Sequence, residues 1–189
     1  MKREEETVCR LQPYQAPGDG IMEVSVRLRR TASGLDLQYF LSGDIEKLVI
    51  PPLGQPQRSD LLWQHTCFET FLRCGEAPAY YEFNFAPSRQ WAVYAFRGYR
   101  ERALLDDERW SPILSVQSGG TAIEVFVTIP LDPLPMLKEA AKLGIGLSAV
   151  IESRDGKFSY WALKHPADKP DFHHADSFAL ELVLPEQSA

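Results

Sequence analysis

The sequence has few of the features that place a protein in a membrane or in an oxidising compartment. Its 189 residues contain no run of about 18 apolar side chains, so no segment is long enough to cross a bilayer as a helix. Cys9, Cys67 and Cys74 are an odd number of cysteines at unrelated spacings, which excludes a disulfide framework and a zinc pattern. Residues Met1 to Glu6 are charged and lack the apolar stretch of a signal peptide. We therefore expect reduced thiols and a cytoplasmic location.

Signatures of nucleic-acid binding and of catalysis are also scarce. The net charge is −6, and this acidic balance argues against both a nucleic acid and an anionic membrane surface as partner. The sequence has no Gly-x-Ser-x-Gly nucleophile turn, no phosphate-binding glycine-rich loop and no dinucleotide fingerprint. We expect no catalytic residue, and we leave the oligomeric state open.

The dominant pattern in the chain is the alternation of apolar and polar residues with a period of two. Alternation from Met22 to Leu28, the turn at Ser33-Gly34 and renewed alternation from Leu35 to Leu41 predict a hairpin of half-buried strands. Further strands are predicted at 48–50, 65–73, 80–85, 91–96, 113–116, 122–129, 147–151, 158–163 and 178–184. Only 133–143 has helical spacing, and both chain ends are expected to fray. This pattern predicts one all-β domain over 1–189, an antiparallel two-sheet sandwich of the jelly-roll or immunoglobulin-like kind with one short helix; a closed barrel is the alternative.

Three segments in the middle of the chain carry a family resemblance. They are LWQHTCFETF (Leu62–Phe71), YEFNFAPS (Tyr81–Ser88) and the aromatic-rich Trp91–Arg100. Together they resemble the DOMON-like domains, a β-sandwich superfamily that includes the family 9 carbohydrate-binding modules. The later segments Tyr160–Pro166 and Lys169–His174 are similar to a bacterial branch of that group. The resemblance implies a domain that binds a small molecule, with a saccharide as the leading class and haem as another. It does not imply catalysis.

The strand 80–85 has the composition of a saccharide site on one face. Tyr80, Glu82 and Asn84 alternate with a purely aromatic set, so they point to the opposite side of the sheet. Glu69 and Arg97 on the neighbouring strands can join that face. Saccharides stack on aromatic rings and bond their hydroxyls to carboxylate and amide groups. The alternative is a structural network, in which Glu69 or Glu82 pairs with Arg97 or Arg100 and fixes the strand register.

Tryptophans and one histidine complete the predicted site. The resemblance implies that Trp63 and Trp91, near strand ends, stack on the sugar, whereas most tryptophans are core residues. Trp110 is a candidate lid, and His173 is expected to close the rim. The predicted ligand-binding residues are Trp63, Glu69, Glu82, Asn84, Trp91, Arg97 and His173.

Other functions remain open on the same residues. The histidines His165, His173 and His174 could instead hold a metal or give haem an axial imidazole, although no cysteine spacing completes a zinc site. Glu69 and Glu82 could form a glycosidase carboxylate pair. The domain could also present an edge strand or apolar loops to a protein partner. No metal and no cofactor are predicted, with haem kept as the alternative.

Overall fold

Two sheets face each other in this fold. The computed structural model describes residues 6–16, 20–105, 110–137, 141–166 and 168–183. The smaller sheet has the order β1 (Glu6–Arg10), β3 (Ile21–Arg30), β4 (Gly34–Gly43), β11 (Ala122–Pro130) and β10 (Ile113–Ser118). The larger sheet has the order β2 (Gln12–Pro13), β13 (Phe158–Ala162), β12 (Lys142–Glu152), β6 (Cys67–Cys74), β7 (Tyr80–Phe85), β8 (Gln90–Gly98) and β5 (Gln57–Arg58). At its margins β14 (Leu180–Val183) pairs with β12, and β9 (Glu101–Ala103) pairs with β8.

The pairing is antiparallel except between β5 and β8, so the predicted antiparallel sandwich is confirmed. The predicted hairpin of β3 and β4 is present, with Val26 opposite Tyr39 and Leu28 opposite Leu37. Its alternate side chains are buried against the larger sheet, because only one face of this hairpin meets the core. The main core thus lies between the two sheets, which do not close into one barrel.

The larger sheet is buried on both faces, and this feature positions the site. One face packs against the smaller sheet through side chains such as Phe68 and Phe83. The opposite, outer face carries a second apolar cluster, which includes Phe71, Tyr80 and Phe96. The cluster is covered by the segment that ends at Phe178 and by the 3₁₀ turn Leu62–Gln64.

Several boundaries differ from the prediction. Residues 6–10 form the edge strand β1 rather than a frayed end, because their backbone pairs with 25–29 of β3. The predicted helix over 133–143 is wrong for Lys142 and Leu143, which begin β12 opposite β6 and β14, while Pro135–Leu137 is a 3₁₀ turn. Residues 138–140 lie outside the described part, as do 1–5 and 184–189. At Lys142 and Leu143, backbone hydrogen bonds to the neighbouring strands β6 and β14 outweigh the local helical spacing of the sequence.

The helical elements in the described ranges are 3₁₀ turns of three residues at Ile45–Lys47, Leu62–Gln64, Pro135–Leu137 and Ala175–Ser177. Across the part of the chain that the structure describes, no helix is long and apolar enough to cross a membrane.

A close backbone approach at the end of β4 gives a test of the fold. Gly43 has φ +149°, and a Cβ there would overlap the carbonyl oxygen of Gly20. We expect Gly43→Ala to lower the free energy of unfolding by about 2 kcal/mol or more. Gly120→Ala is the matched control, because a Cβ at that turn position meets no heavy atom within 4 Å. Urea denaturation of both variants measures the effect, and equal denaturation midpoints would contradict the close approach of Gly43 to the Gly20 carbonyl.

Candidate functional site

A cleft with a volume of about 560 Å³ opens on the outer face of the larger sheet. We call it the Trp63 cleft. Its lining residues come from both strands and connections: Trp63, Gln64, Glu69, Glu82, Phe96, Arg100, Arg102, Val150, Phe158, Tyr160, Pro170, Phe172 and His173. The volume falls within the range of roughly 300–1,000 Å³ that is typical of small-molecule sites. Four of the predicted site residues, Trp63, Glu69, Glu82 and His173, therefore meet in one cavity.

Trp63 stands at the mouth of this cleft because of the turn that carries it. Leu61 adopts the left-handed conformation (φ 62°, ψ 25°) and starts the 3₁₀ turn Leu62–Gln64. Leu62 is buried in the outer apolar cluster and anchors the turn. Its neighbour Trp63 is consequently directed outward, with 42% of its surface exposed. A large exposed aromatic side chain at a cleft is suited to stacking on a ligand.

The register between β6 and β7 places the carboxyl groups of Glu69 and Glu82 at the floor of the Trp63 cleft. Glu69 lies opposite Asn84 in the β6–β7 pairing, and Glu82 lies opposite Phe71, so the carboxyls occupy diagonal positions on one face. Asn84 donates a 2.7 Å hydrogen bond to Glu82, and Ser148 donates one of 3.3 Å to Glu69. Asn84 itself is fully buried and does not line the cleft, so it positions the Glu82 carboxylate from beneath.

The two carboxyls do not share the same protonation behaviour. Burial raises the pKa of Glu69 well above its ordinary value, and the nearby Glu82 charge raises it further. Burial also raises the pKa of Glu82, but the Asn84 hydrogen bond and the charges of Arg102 and Arg100 oppose this rise. Glu69 is therefore the carboxyl with the greater tendency to stay protonated, and Glu82 is the one that ionises more readily.

His173 faces this pair as a neutral ring. Its Nδ1 shares a 2.8 Å hydrogen bond with the Tyr80 hydroxyl, and its Nε2 lies 3.7 Å from Glu82 Oε2. Burial, and secondarily the charge of Arg100, lowers the pKa of His173 to about 4. Burial raises the pKa of Tyr80 to about 12, so its hydroxyl stays protonated. Near neutral pH, then, the ring offers one donor and one acceptor nitrogen.

Asp171 fixes the loop that carries His173. Its carboxylate accepts hydrogen bonds from the Tyr99 hydroxyl (2.6 Å), Arg100 Nη2 (2.9 Å) and the backbone N–H of His173 (3.3 Å). Burial alone would raise the pKa of Asp171, but the bonds from Tyr99 and Arg100 outweigh it and the pKa is lowered. The ion pair between Asp171 and Arg100 therefore fixes the loop at the rim of the cleft. In the structural network considered as the alternative from sequence, Arg100 would instead have paired with Glu69 or Glu82.

Besides Asn84, two more of the predicted site residues, Trp91 and Arg97, do not line the cleft. Trp91 is buried on the inner face of β8, edge-to-face with Trp110 at a centroid distance of 5.2 Å. Arg97 points away, because Phe96 before it faces the cleft, and it pairs with Glu101 at 2.7 Å. Trp110 is no lid either, since it is 2% exposed and its indole N–H donates to the Pro130 carbonyl. Neither Trp91 nor Arg97 is thus placed with Trp63, Glu69, Glu82 and His173 in this cleft, in contrast to the predicted grouping.

Sequence reasoning missed other lining residues. Phe158 and Tyr160 alternate on β13 and so share its outer face, which their spacing of two could have indicated. Arg102 lies on the short strand β9, which carries no recognisable pattern, and its guanidinium sits 4.3 Å from the centre of the Tyr94 ring. Within the described ranges no carboxylate forms an ion pair with Arg102.

The histidines are dispersed rather than clustered. His65 pairs with Glu152 at 2.8 Å, His165 contacts the Gln12 carbonyl, and His174 accepts the N–H of Asp176. Of the residues that the structure describes, no three His, Cys, Asp or Glu side chains are arranged to hold a metal ion. Among the described residues, His165, His173 and His174 therefore do not form one set of metal ligands.

Comparisons with known proteins agree on the fold. The structure resembles a family 9 carbohydrate-binding module from Caldicellulosiruptor kristjanssonii in complex with glucose (TM-score 0.62, 11% identity, covering 98% of this chain and 86% of that one). The two-sheet β-sandwich is thus similar in fold to a family 9 carbohydrate-binding module. A cellotriose complex of such a module from the same organism also matches (TM-score 0.55, 10% identity, 98% and 84% covered). So does a protein from Bacteroides uniformis with a proposed carbohydrate-binding role (TM-score 0.60, 15% identity, 91% and 83% covered). No protein-family model and no curated protein matches the sequence, and the link to the wider DOMON-like group stays a prediction.

The lowered pKa of His173 predicts how stability depends on pH. Between the ordinary value of 6.5 and about 4 the unfolded chain binds a proton that the folded chain excludes. This contribution to stability is present above pH 6.5 and is lost as the pH falls toward 4, by up to about 3 kcal/mol. His173→Gln cannot take up that proton, so its free energy of unfolding should fall less than that of the wild type. Urea titrations from pH 7 to 4 measure the difference, and parallel curves would refute a neutral, buried His173.

Proposed function

We propose that this protein binds a saccharide in the Trp63 cleft. The observation that carries the proposal is an exposed indole over a cleft whose floor presents both a hydrogen-bond acceptor and a donor. The Glu82 carboxylate accepts hydrogen bonds, while the Glu69 carboxylic acid can donate one. Sugar hydroxyls are donors and acceptors at once, so a floor with both kinds of group can satisfy them.

The walls of the cleft supply the apolar contact that a sugar ring needs. Trp63, Phe158, Tyr160 and Phe172 face the same volume as the carboxyls. Aromatic rings bury the C–H faces of a pyranose, while the polar floor fixes its hydroxyls. Arg102 adds donors at the rim that no ion pair with a described carboxylate occupies. This combination suits a saccharide better than a purely apolar ligand.

The structural neighbours support the same ligand class. Two of them are complexes of family 9 carbohydrate-binding modules with glucose and with cellotriose. At 11% and 10% identity the likeness concerns the fold, and the choice of sugar is not transferred. What the likeness adds is a fold on which saccharide binding occurs.

Removal of the Trp63 indole tests this proposal. Saccharides that a glycan array identifies should quench the tryptophan fluorescence of the wild type, and calorimetry gives their affinity. We expect Trp63→Ala to weaken binding about tenfold or more, which is about 1.4 kcal/mol of lost stacking and burial. Met22→Ala is the control, because Met22 is 82% exposed and lies outside the cleft. Unchanged affinity in Trp63→Ala would place the ligand elsewhere, and an array without any bound glycan would end the proposal.

The difference in pKa between Glu69 and Glu82 favours a second candidate function, glycoside hydrolysis. Glycosidases use one protonated and one ionised carboxyl whose environments separate their pKa values. Here Glu69 would donate its proton to the glycosidic oxygen as the bond from C1 to that oxygen breaks. Glu82 would take a proton from the water that attacks C1. The supporting observation is that both groups line one cleft and that the pKa of Glu69 is raised more strongly than that of Glu82.

Turnover separates this candidate from binding alone. A hydrolase should release nitrophenol from an aryl glycoside of the bound sugar, and Glu82→Gln should abolish the release because no base remains to activate water. The same variant should still bind the sugar, since an amide keeps the shape of the carboxylate. Glu101→Gln is the control, because Glu101 pairs with Arg97 outside the cleft. If the wild type binds the sugar but releases nothing, hydrolysis is excluded and binding stands.

A further inference from the structure

A second cleft, with a volume of about 600 Å³, adjoins the Trp63 cleft. We call it the Tyr14 cleft; it is bounded by Tyr14 and Ala16, by Lys47 and by the turn at Arg154. Phe158, Tyr160 and Pro170 line both clefts, so the two volumes meet at β13. Together they exceed the range of roughly 300–1,000 Å³ that one small ligand occupies.

Shared aromatic side chains form the boundary between the clefts. Phe158 and Tyr160 stand two residues apart on β13 and point to the same side. Phe158 is 40% exposed, which is a large fraction for a phenylalanine side chain. A ligand that passes from one cleft to the other must cross these two rings.

Contacts between aromatic rings also connect Phe172 of the Trp63 cleft with Tyr14 of the Tyr14 cleft. Phe172 of the Trp63 cleft lies 6.4 Å from the ring of Tyr160 and 6.4 Å from that of His165, centroid to centroid. His165 in turn meets Tyr14 edge-on at 5.4 Å. Tyr14 is held in place by its backbone N–H, which donates to the Tyr160 carbonyl at 2.8 Å. A row of contacting rings therefore joins Phe172 to Tyr14 through His165, which itself lines neither cleft.

The polar groups of the Tyr14 cleft suit a neutral ligand. Lys47 pairs with Asp44 at 3.2 Å, and Lys157 pairs with Asp155 at 2.6 Å. Arg154 donates to the backbone carbonyl of Glu46 at 2.7 Å. The cations Lys47, Arg154 and Lys157 are offset by the carboxylates of Glu46 and Asp155 in the lining and of the adjoining Asp44, so the cleft offers hydrogen-bonding groups without a large net charge of one sign. Ser159 adds a hydroxyl that accepts the indole N–H of Trp161 and keeps its own proton for a ligand.

We propose that the ligand is a neutral oligosaccharide whose chain crosses Phe158 and Tyr160 and occupies both clefts. This inference rests on the proposed function, because it extends the saccharide of the Trp63 cleft into the Tyr14 cleft. A chain of pyranose units alternates apolar ring faces with hydroxyls, and the row of aromatic rings between polar edges matches that alternation. A single sugar unit would leave one of the two clefts unused.

The dependence of affinity on chain length tests the proposal. Calorimetry with cello-, xylo- and malto-oligosaccharides, each from the monosaccharide to the hexasaccharide, would be run on the full chain. We expect the affinity for the series that binds to rise by about tenfold or more beyond the disaccharide, because additional units enter the Tyr14 cleft.

A blocking variant locates the added contacts. Ala16→Trp would fill the Tyr14 cleft from an exposed position, and it should remove the gain with length while the affinity for the monosaccharide stays unchanged. Met22→Trp places the same indole at an exposed position outside both clefts and should keep the gain. Phe158→Ala should weaken the longer members more than the monosaccharide.

Each outcome decides between the two proposals. If the monosaccharide and the hexasaccharide bind with equal affinity, the inference fails and the Trp63 cleft remains a saccharide site. If the gain with length persists in Ala16→Trp, the chain leaves the Trp63 cleft in another direction and the inference fails again. If no oligosaccharide of any series binds, the proposed function falls for these sugars and the inference falls with it.

Discussion

Two carboxyl groups buried on the outer face of the larger sheet set the main constraint on this structure. Glu69 and Glu82 are 3% and 5% exposed among side chains such as Phe71 and Phe96, and an isolated carboxylate in such surroundings is strongly destabilised. The compensation comes from several sources. Asn84 and Ser148 donate to them, the raised pKa of Glu69 favours its neutral form, and the charges of Arg102 and Arg100 favour the ionised form of Glu82.

The surroundings of these carboxyls follow from that constraint. Direct ion pairs inside the cleft would neutralise Glu82 completely and close it to a ligand. Instead Arg100 binds Asp171 and thereby ties the His173 loop to the end of β8. The neutral ring of His173 can then approach Glu82 to 3.7 Å without forming a full ion pair. The cleft is thus rigid at its rim and retains unsatisfied hydrogen-bonding capacity at its floor, which is what a polar ligand requires.

How far the sequence predicts this structure depends on which faces of a strand are buried. In β3, β4 and β11 one face meets the core and the other meets polar surroundings, so the period of two is clear and the hairpin register is predictable. In β7 every residue is buried, and β6, β8 and β12 are nearly as uniform. There the apolar pattern no longer distinguishes the faces. The grouping of Glu69, Glu82 and Asn84 could still be predicted, because polar residues mark one face of β6 and β7.

The same uniformity explains why Trp91 and Trp63 could not be told apart from sequence. On β8 the residues Ala92, Tyr94 and Phe96 face the outer apolar cluster. Trp91 precedes Ala92 by one position, so its indole points to the opposite face and lies in the main core. Trp63 lies on a turn whose direction depends on the left-handed backbone at Leu61, and no local motif announces that conformation in a leucine.

Burial of both faces also bears on why the site lies where it does. A sheet that is covered on one side only would leave Glu82 in water, where hydrogen bonds to a sugar compete with hydrogen bonds to solvent and contribute little. The turn at Leu62, the loop from Asp171 and the strand β13 cover this face incompletely, and the gap between them is the Trp63 cleft. Its floor is desolvated before any ligand arrives, so each hydrogen bond that a ligand makes there replaces poorly satisfied capacity rather than bulk water. The cost of burying two acids and the capacity to bind a polar ligand are therefore the same physical property of this face.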